Sequence, residues 1–218
     1  MQIDFCRARC DADQQGAFDL VSEEYKKDGY IDVDARPDIP VYNFLLTSAT
    51  FIAKADKTII GTVTIVGDGE KGLPMENIYE EEIGELRWSG KKMAEISQLA
   101  IKRGTAENPD MHQRKIQTSI PLALFRVVYF FAKSQGIGNF CIAINPKHET
   151  FYKLLGFEDI GGLKSYSFVN GAPALARMLD ITQDPKVLAE KSFIFDEIIK
   201  NPLTAGDFEQ AIIFSQEI

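Results

Sequence analysis

Residues 93–102, MAEISQLAIK, form an apolar run of strand length interrupted by one carboxylate, Glu95. A carboxylate within such a run is costly to bury unless it has a partner or a task. Glu95 is therefore read either as a structural carboxylate, satisfied in the core or facing outward, or as a base. A second apolar run, FCIAI at 140–144, passes through Asn145-Pro146 into a short stretch of helical spacing that ends at Gly156. Two strands and a helix end should thus meet at one place. Tyr152, in that last turn, either donates a proton or packs against Phe151 and Leu155. His148, after the turn, fits a base or, preferably, a helix-start residue.

The elements that must position these groups can be read in order. Ile3 to Ala8 reads as a short edge strand, and Asp11 or Asp13 as the N-cap of a helix with Ala17, Phe18, Leu20, Val21 and Tyr25 on one face, ending near Gly29. Residues 32–40, rich in Asp and Pro and followed by Tyr42 and Phe44, read as a loop with apolar anchors, suited to a lid or to plain packing. Strands at 50–54 and 59–66 form a hairpin across Ala55-Asp56-Lys57-Thr58. Residues 73–88 have near-helical spacing, with Glu80, Glu81, Glu82 and Glu85 on solvated faces. A polar loop at 103–109 leads to a long helix at about 111–135, which Pro121 either starts or kinks. Strands at 166–169 and 174–179 flank the turn Asn170-Gly171, and residues 192–199 are helical. The fold class expected is α/β (α+β), with residues 1–180 as one domain and 181–218 as a helical extension packed on it.

Composition narrows the function. The 218 residues are 45% hydrophobic and 26% charged, enough for a full core, and the net charge of -8 argues against a nucleic-acid surface. Cys6, Cys10 and Cys141 lack CxxC spacing and lie in apolar surroundings, so reduced, buried thiols are expected rather than disulfides or a metal site. No targeting segment and no integral membrane segment is read, and a cytoplasmic location is expected.

The order strand, helix, hairpin, strand, long helix, strand, and then NPKHETFYKLLGFE resembles the GCN5-related N-acetyltransferase fold over roughly residues 1–180. That resemblance implies a mixed, mostly antiparallel central sheet flanked by helices. More narrowly, GLPMENIYEEE, AEISQLAI, INPKHETFYKLLGFE and VNGAPALAR resemble the long-chain N-acyl amino acid synthases, relatives of the acyl-homoserine-lactone autoinducer synthases. Acetyl-coenzyme A users of the superfamily carry a glycine pair in the loop before the long helix, where backbone N–H groups bind pyrophosphate. Here that place reads KRGTAENPDMHQRKIQ, so the expected donor is a thioester on the 4'-phosphopantetheine of an acyl carrier protein rather than coenzyme A, with no tightly bound cofactor. Autoinducer synthases carry an acidic pair in the loop before the second strand, an Arg on the third strand and Glu-x-x-Arg on the fourth. This chain has PVYNFL, Thr64 and Glu95-Ile96-Ser97-Gln98 instead, which makes homoserine-lactone synthesis the lesser specialisation.

The resemblance implies acyl transfer to an amine, which needs a neutral nucleophile, an oxyanion donor and a proton for the leaving thiolate. Glu95 is the candidate base, Tyr152 the candidate thiolate donor, and the backbone at Gln98, Leu99 and Ala100 the candidate oxyanion site. Ser97, Asn145, His148, Tyr30 and Arg36 are candidate contacts to an amino acid acceptor. Lys91, Lys92, Lys102, Arg103, Arg114 and Lys115 are the expected carrier-protein docking cluster. A coenzyme A-dependent N-acetyltransferase is the alternative enzyme, and a catalytically silent ligand-sensing domain the non-enzymatic one.

Overall fold

The computed structural model of the chain describes residues 1–103 and 111–218, with side chains 111–113, 116, 117 and 191 outside that description. Among the described residues eight strands form one sheet: β1 (Gln2–Arg7), β2 (Ser48–Ala55), β3 (Thr58–Gly67), β4 (Met93–Ile101), β5 (Asn139–Ile144), β6 (Glu158–Tyr166), β7 (Ala172–Asp180) and β8 (Phe214–Glu217). Their order is β6-β7-β5-β4-β3-β2-β1-β8. The pairs are antiparallel except β4 with β5, whose parallel pairing requires the crossover made by the long helix α3 (Met111–Ser134).

Alternation along the strands sorts side chains onto two faces. Ile3 and Phe5 of β1, Phe51 of β2, Val63 and Ile65 of β3, and Ala94 and Ile96 of β4 pack under α3 with Ile120, Leu124, Val127 and Val128. Phe125 of α3 meets Phe140 at 6.0 Å and Phe195 of α6 (Phe193–Ile199) at 6.1 Å, which draws the C-terminal residues onto the same core. The opposite face carries α1 (Asp11–Lys27), through Leu20 and Val21 on Ala100, and α2 (Glu76–Arg87), through Tyr79 and Ile83 on Met93 and Cys141.

Several expectations are corrected. The residue capping α1 is Cys10, and Asp11 and Asp13 lie in its first turn, where they favour the positive helix end. Cys10 is exposed, whereas Cys6 and Cys141 are buried. Strand β1 is covered by β8, so the sheet edges are β6 and β8. The segment 181–218 is helical at α5 (Pro185–Lys191) and α6 but also contributes that last strand. The strand expected at 166–169 lies earlier, at β6, where Gly161 and Gly162 dilute the alternation, and Ser167–Val169 form a 3-10 turn instead. Pro121 lies inside α3, and the polar loop of 104–109 falls outside the described residues. Among the described residues no helix is long and apolar enough to cross a membrane.

Candidate active site

The parallel ladder between β4 and β5 is short: Met93, Ala94 and Glu95 pair with Asn139, Phe140 and Cys141. Beyond Glu95, β4 continues along β3 to Ile101 and β5 continues along β7 to Ile144. The two strands diverge, and peptide groups of β4 on that side face a cavity rather than a strand. Local geometry explains the divergence. Thr62 pairs with Ala100 and Thr64 with Ser97, so Gln98 and Leu99 together oppose Val63 in a β-bulge. Gln98 takes φ 54°, a left-handed conformation that costs a non-glycine residue roughly 1–2 kcal/mol.

The cavity holds about 480 Å³. Its walls are Glu95 to Ile101 of β4, Ala143 to Asn145 at the end of β5, Pro121, Phe151, Tyr152 of α4 (Glu149–Leu154), Tyr25 and Tyr30 from the end of α1, and Tyr166 and Val169. Glu24, Asp28 and Arg103 form a charged rim. They satisfy one another, since Arg103 Nε pairs with Glu24 at 2.5 Å and its Nη1 with Asp28 at 2.8 Å. Burial works against ionisation of Glu24, yet Lys27 and Arg103 hold its carboxyl below the usual range.

Glu95 is buried at the point of divergence, 3% exposed. Its Oε2 accepts a hydrogen bond from the Met75 backbone N–H at 2.7 Å, and among the described residues it pairs with no cation. Burial pushes its carboxyl up to about 8, against the Met75 hydrogen bond and with help from Glu76. Among the described residues, the Met75 N–H rather than an ion pair is what meets this carboxylate. The segment bearing Met75 is fastened by Arg87, which bonds Asp68 at 2.8 Å and also Glu76.

Tyr152 is buried with its ring edge-on to Phe151 at 5.1 Å and Phe157 at 5.5 Å. Burial raises the proton affinity of its phenol, and neighbouring Tyr25 adds to this, so the hydroxyl stays protonated across the physiological range. Packing and proton donation are therefore compatible in this side chain. Asn145 lines the cavity while its Oδ1 caps the following turn through the Lys147 N–H at 3.1 Å. His148 is the N-cap of α4, but its side chain makes no capping bond; desolvation, then Lys147, lowers its pKa, which favours neutral imidazole. Lys147 lies over the Tyr30 ring at 4.8 Å.

The structure brings Glu95, Ser97, Gln98, Leu99, Ala100, Asn145, His148, Tyr30 and Tyr152 around one cavity. Arg36 is exposed and does not line it, because the 32–40 segment passes outside. Nor do the six basic residues form one cluster. Lys91 and Lys92 precede β4 and Lys102 follows it, separated by a nine-residue strand of roughly 25 Å. Lys91 is bound to Asp180 at 2.7 Å and Arg103 to the acidic rim. Lys102, which follows β4, and Arg114 and Lys115, near the start of α3, are exposed. Phe44, expected as an apolar anchor, is 65% exposed; the side chain that ties its turn down is Asn43. Sequence reading missed the Met75 N–H, a backbone donor without a sequence signal, and placed Tyr25 and Tyr166 only as helix and strand residues.

The family model described as N-acyl amino acid synthase FeeM matches residues 16–180. Among solved structures, that of FeeM, an N-acyl amino acid synthase from uncultured soil microbes, is 31% identical, with a TM-score of 0.74 over 86% of this chain and 97% of that one. BjaI, a coenzyme A-dependent acyl-homoserine lactone synthase, is 16% identical with a TM-score of 0.61, over 90% of this chain and 89% of its own. An N-acetyltransferase from Staphylococcus aureus Mu50 is 14% identical with a TM-score of 0.54, over 83% of this chain and 99% of its own; these last two likenesses are of fold. No curated protein sequence matches the chain. A family match over residues 16–180, together with a 31% identical relative covered over 97% of its length, identifies the chain as a member of the N-acyl amino acid synthase FeeM family and as an N-acyltransferase.

Proposed function

We propose that the protein joins a medium or long fatty acyl chain, delivered as an acyl carrier protein thioester, to the α-amino group of an amino acid. The observation that carries this reading is the cavity where β4 and β5 part, with Glu95 buried beside the Gln98 bulge and apolar walls from Ile96, Leu99, Ile101, Ile144, Phe151 and Val169. Such walls suit an acyl chain, and a carboxyl held near 8 has a proton affinity far closer to an amine's than an ordinary carboxylate's, so proton exchange between them is nearly balanced.

In this reading Glu95, as carboxylate, takes a proton from the bound ammonium group. The neutral amine attacks the thioester carbonyl, forming the C–N bond, and backbone N–H groups at Gln98 to Ala100 receive the oxyanion. Collapse breaks the C–S bond, and Tyr152 O–H protonates the departing thiolate. The second amine proton leaves through solvent and restores Tyr152, and Glu95 releases its own proton before the next cycle. Asn145, Ser97, Tyr30 and neutral His148 stand where they can orient the acceptor.

The sequence between Ile101 and Met111 lacks the glycine pair that cradles pyrophosphate, which supports a carrier-protein donor. Docking must then be local, because the net charge of -8 repels an acidic carrier. Lys102, directly after β4, and Lys115, in the first turns of α3, are both exposed cations. Charge reversal at both should raise KM for the carrier-bound donor severalfold and leave turnover of a soluble acyl-pantetheine thioester unchanged. An unchanged KM places docking elsewhere. The function itself is tested by mass spectrometry of lipids from cells producing the protein: N-acyl amino acids absent from control cells support it, and their absence contradicts it.

A further inference from the structure

Four elements converge beside the cavity on a hydrogen-bonded cluster without charge. Asn43, in the 3-10 turn Val41–Phe44, donates through Nδ2 to Gln98 Oε1 at 2.8 Å and accepts at Oδ1 from Gln98 Nε2 at 3.2 Å. Thr64 of β3 donates through Oγ1 to the same Gln98 oxygen at 3.1 Å, and Thr50 Oγ1 lies 3.0 Å from Thr64 Oγ1. Because the Thr64 hydroxyl proton is committed to Gln98, Thr50 must be the donor in that last bond. Each carboxamide here meets the other through both its oxygen and its nitrogen, so the cluster is better suited to holding a conformation than to capturing a ligand.

The residue it holds is the one in β4 with a left-handed backbone, φ 54°, at the bulge that separates β4 from β5. A non-glycine residue persists in that region where its surroundings over-determine it. We propose that Asn43 and Thr64 are positioning residues which, through the Gln98 carboxamide, fix the β4 bulge and aim the N–H groups of Gln98 to Ala100 at the thioester oxygen. The turn Val41–Phe44 is thereby coupled to the acyl-transfer site, and a displacement of that turn disorders the oxyanion donors. The kinetic consequence rests on the acyl transfer proposed above; the structural one does not.

The test uses the full chain carrying Asn43→Ala, Thr64→Val or Thr64→Ser. Amide hydrogen exchange across 97–100 should accelerate at least tenfold in Asn43→Ala and Thr64→Val and return toward the parent in Thr64→Ser, which keeps the hydroxyl. With acyl transfer measured alongside, kcat should fall about 10- to 100-fold, as for a misplaced donor, with acceptor KM within twofold and the pH profile unshifted. Unchanged exchange in both variants overturns the proposal, as does a raised acceptor KM at unchanged kcat, which marks a substrate contact. Should Thr64→Val fail to fold, Asn43→Ala, on a partly exposed turn, decides alone. A parent without acyl transfer defeats the proposed function, while the exchange measurement still judges the positioning role.

Discussion

Glu95→Gln is expected to lower kcat by roughly 10²- to 10⁴-fold, the range typical of losing a general base, with a fold that gains on the parent as pH rises. The stability sign follows from the raised proton affinity. In the unfolded chain Glu95 titrates as an ordinary carboxyl near 4.5, and in the fold burial moves it to about 8. The folded state therefore binds the extra proton between those values. Its contribution is fully present below the unfolded pKa and is lost as pH rises through about 8, a swing on the order of 5 kcal/mol. Gln carries no such dependence, so the stability difference between variant and parent should shift in the variant's favour from pH 4.5 to 8 and then level off. The Gln amide introduces a buried donor costing about 1–3 kcal/mol, so the slope of the difference, rather than its absolute value, is the check. Denaturant unfolding at several pH values measures it, and a pH-independent difference contradicts a buried carboxyl with raised proton affinity. The enzyme-dependent rise of activity through about 8 should likewise vanish in the variant.

Tyr152→Phe should lower kcat by about 10²-fold or more with little change in Tm. The ring contacts with Phe151 and Phe157 survive the substitution, and no hydrogen bond to the hydroxyl is lost among the described residues. The decisive property is the leaving group. A thiolate of ordinary basicity needs the Tyr152 proton, whereas an aromatic thiolate of low basicity departs without it. The defect should thus be large on an alkyl thioester and close to absent on a thiophenyl ester. An equal defect on both would show that the hydroxyl acts in binding or packing. Because burial keeps this phenol protonated, its acid role imposes no falling limb on the parent's activity within the physiological range.

Much of this arrangement was legible in the sequence because burial on one face writes itself as periodicity. The α3 stripe of Ile120, Leu124, Val127, Val128 and Phe131, and the β-branched runs of β3, β4 and β5, are of this kind. Glu95 stood out because it broke such a run. Other features left no local trace. Strand β6 is largely exposed and contains Gly161-Gly162, so neither alternation nor propensity marks it. Strand β8 has four residues and depends on long-range pairing with β1. The dispersal of Lys91 and Lys92 from Lys102 follows from strand length, whereas proximity in sequence suggested a cluster. The Asn43, Thr64 and Gln98 cluster joins residues 34 and 55 positions apart, and each of them alone reads as an ordinary polar residue.

The most direct measurement offers the purified protein an acyl carrier protein thioester, the matching coenzyme A thioester and a defined mixture of amino acids, with products followed by mass spectrometry. An amide at the α-nitrogen is expected, formed with a far higher kcat/KM from the carrier-bound donor and nearly abolished in Glu95→Gln. Equal kcat/KM on the two donors would contradict the donor assignment. Release of free fatty acid without an amide would contradict N-acyl transfer, and amide formation undiminished in Glu95→Gln would remove Glu95 as its base.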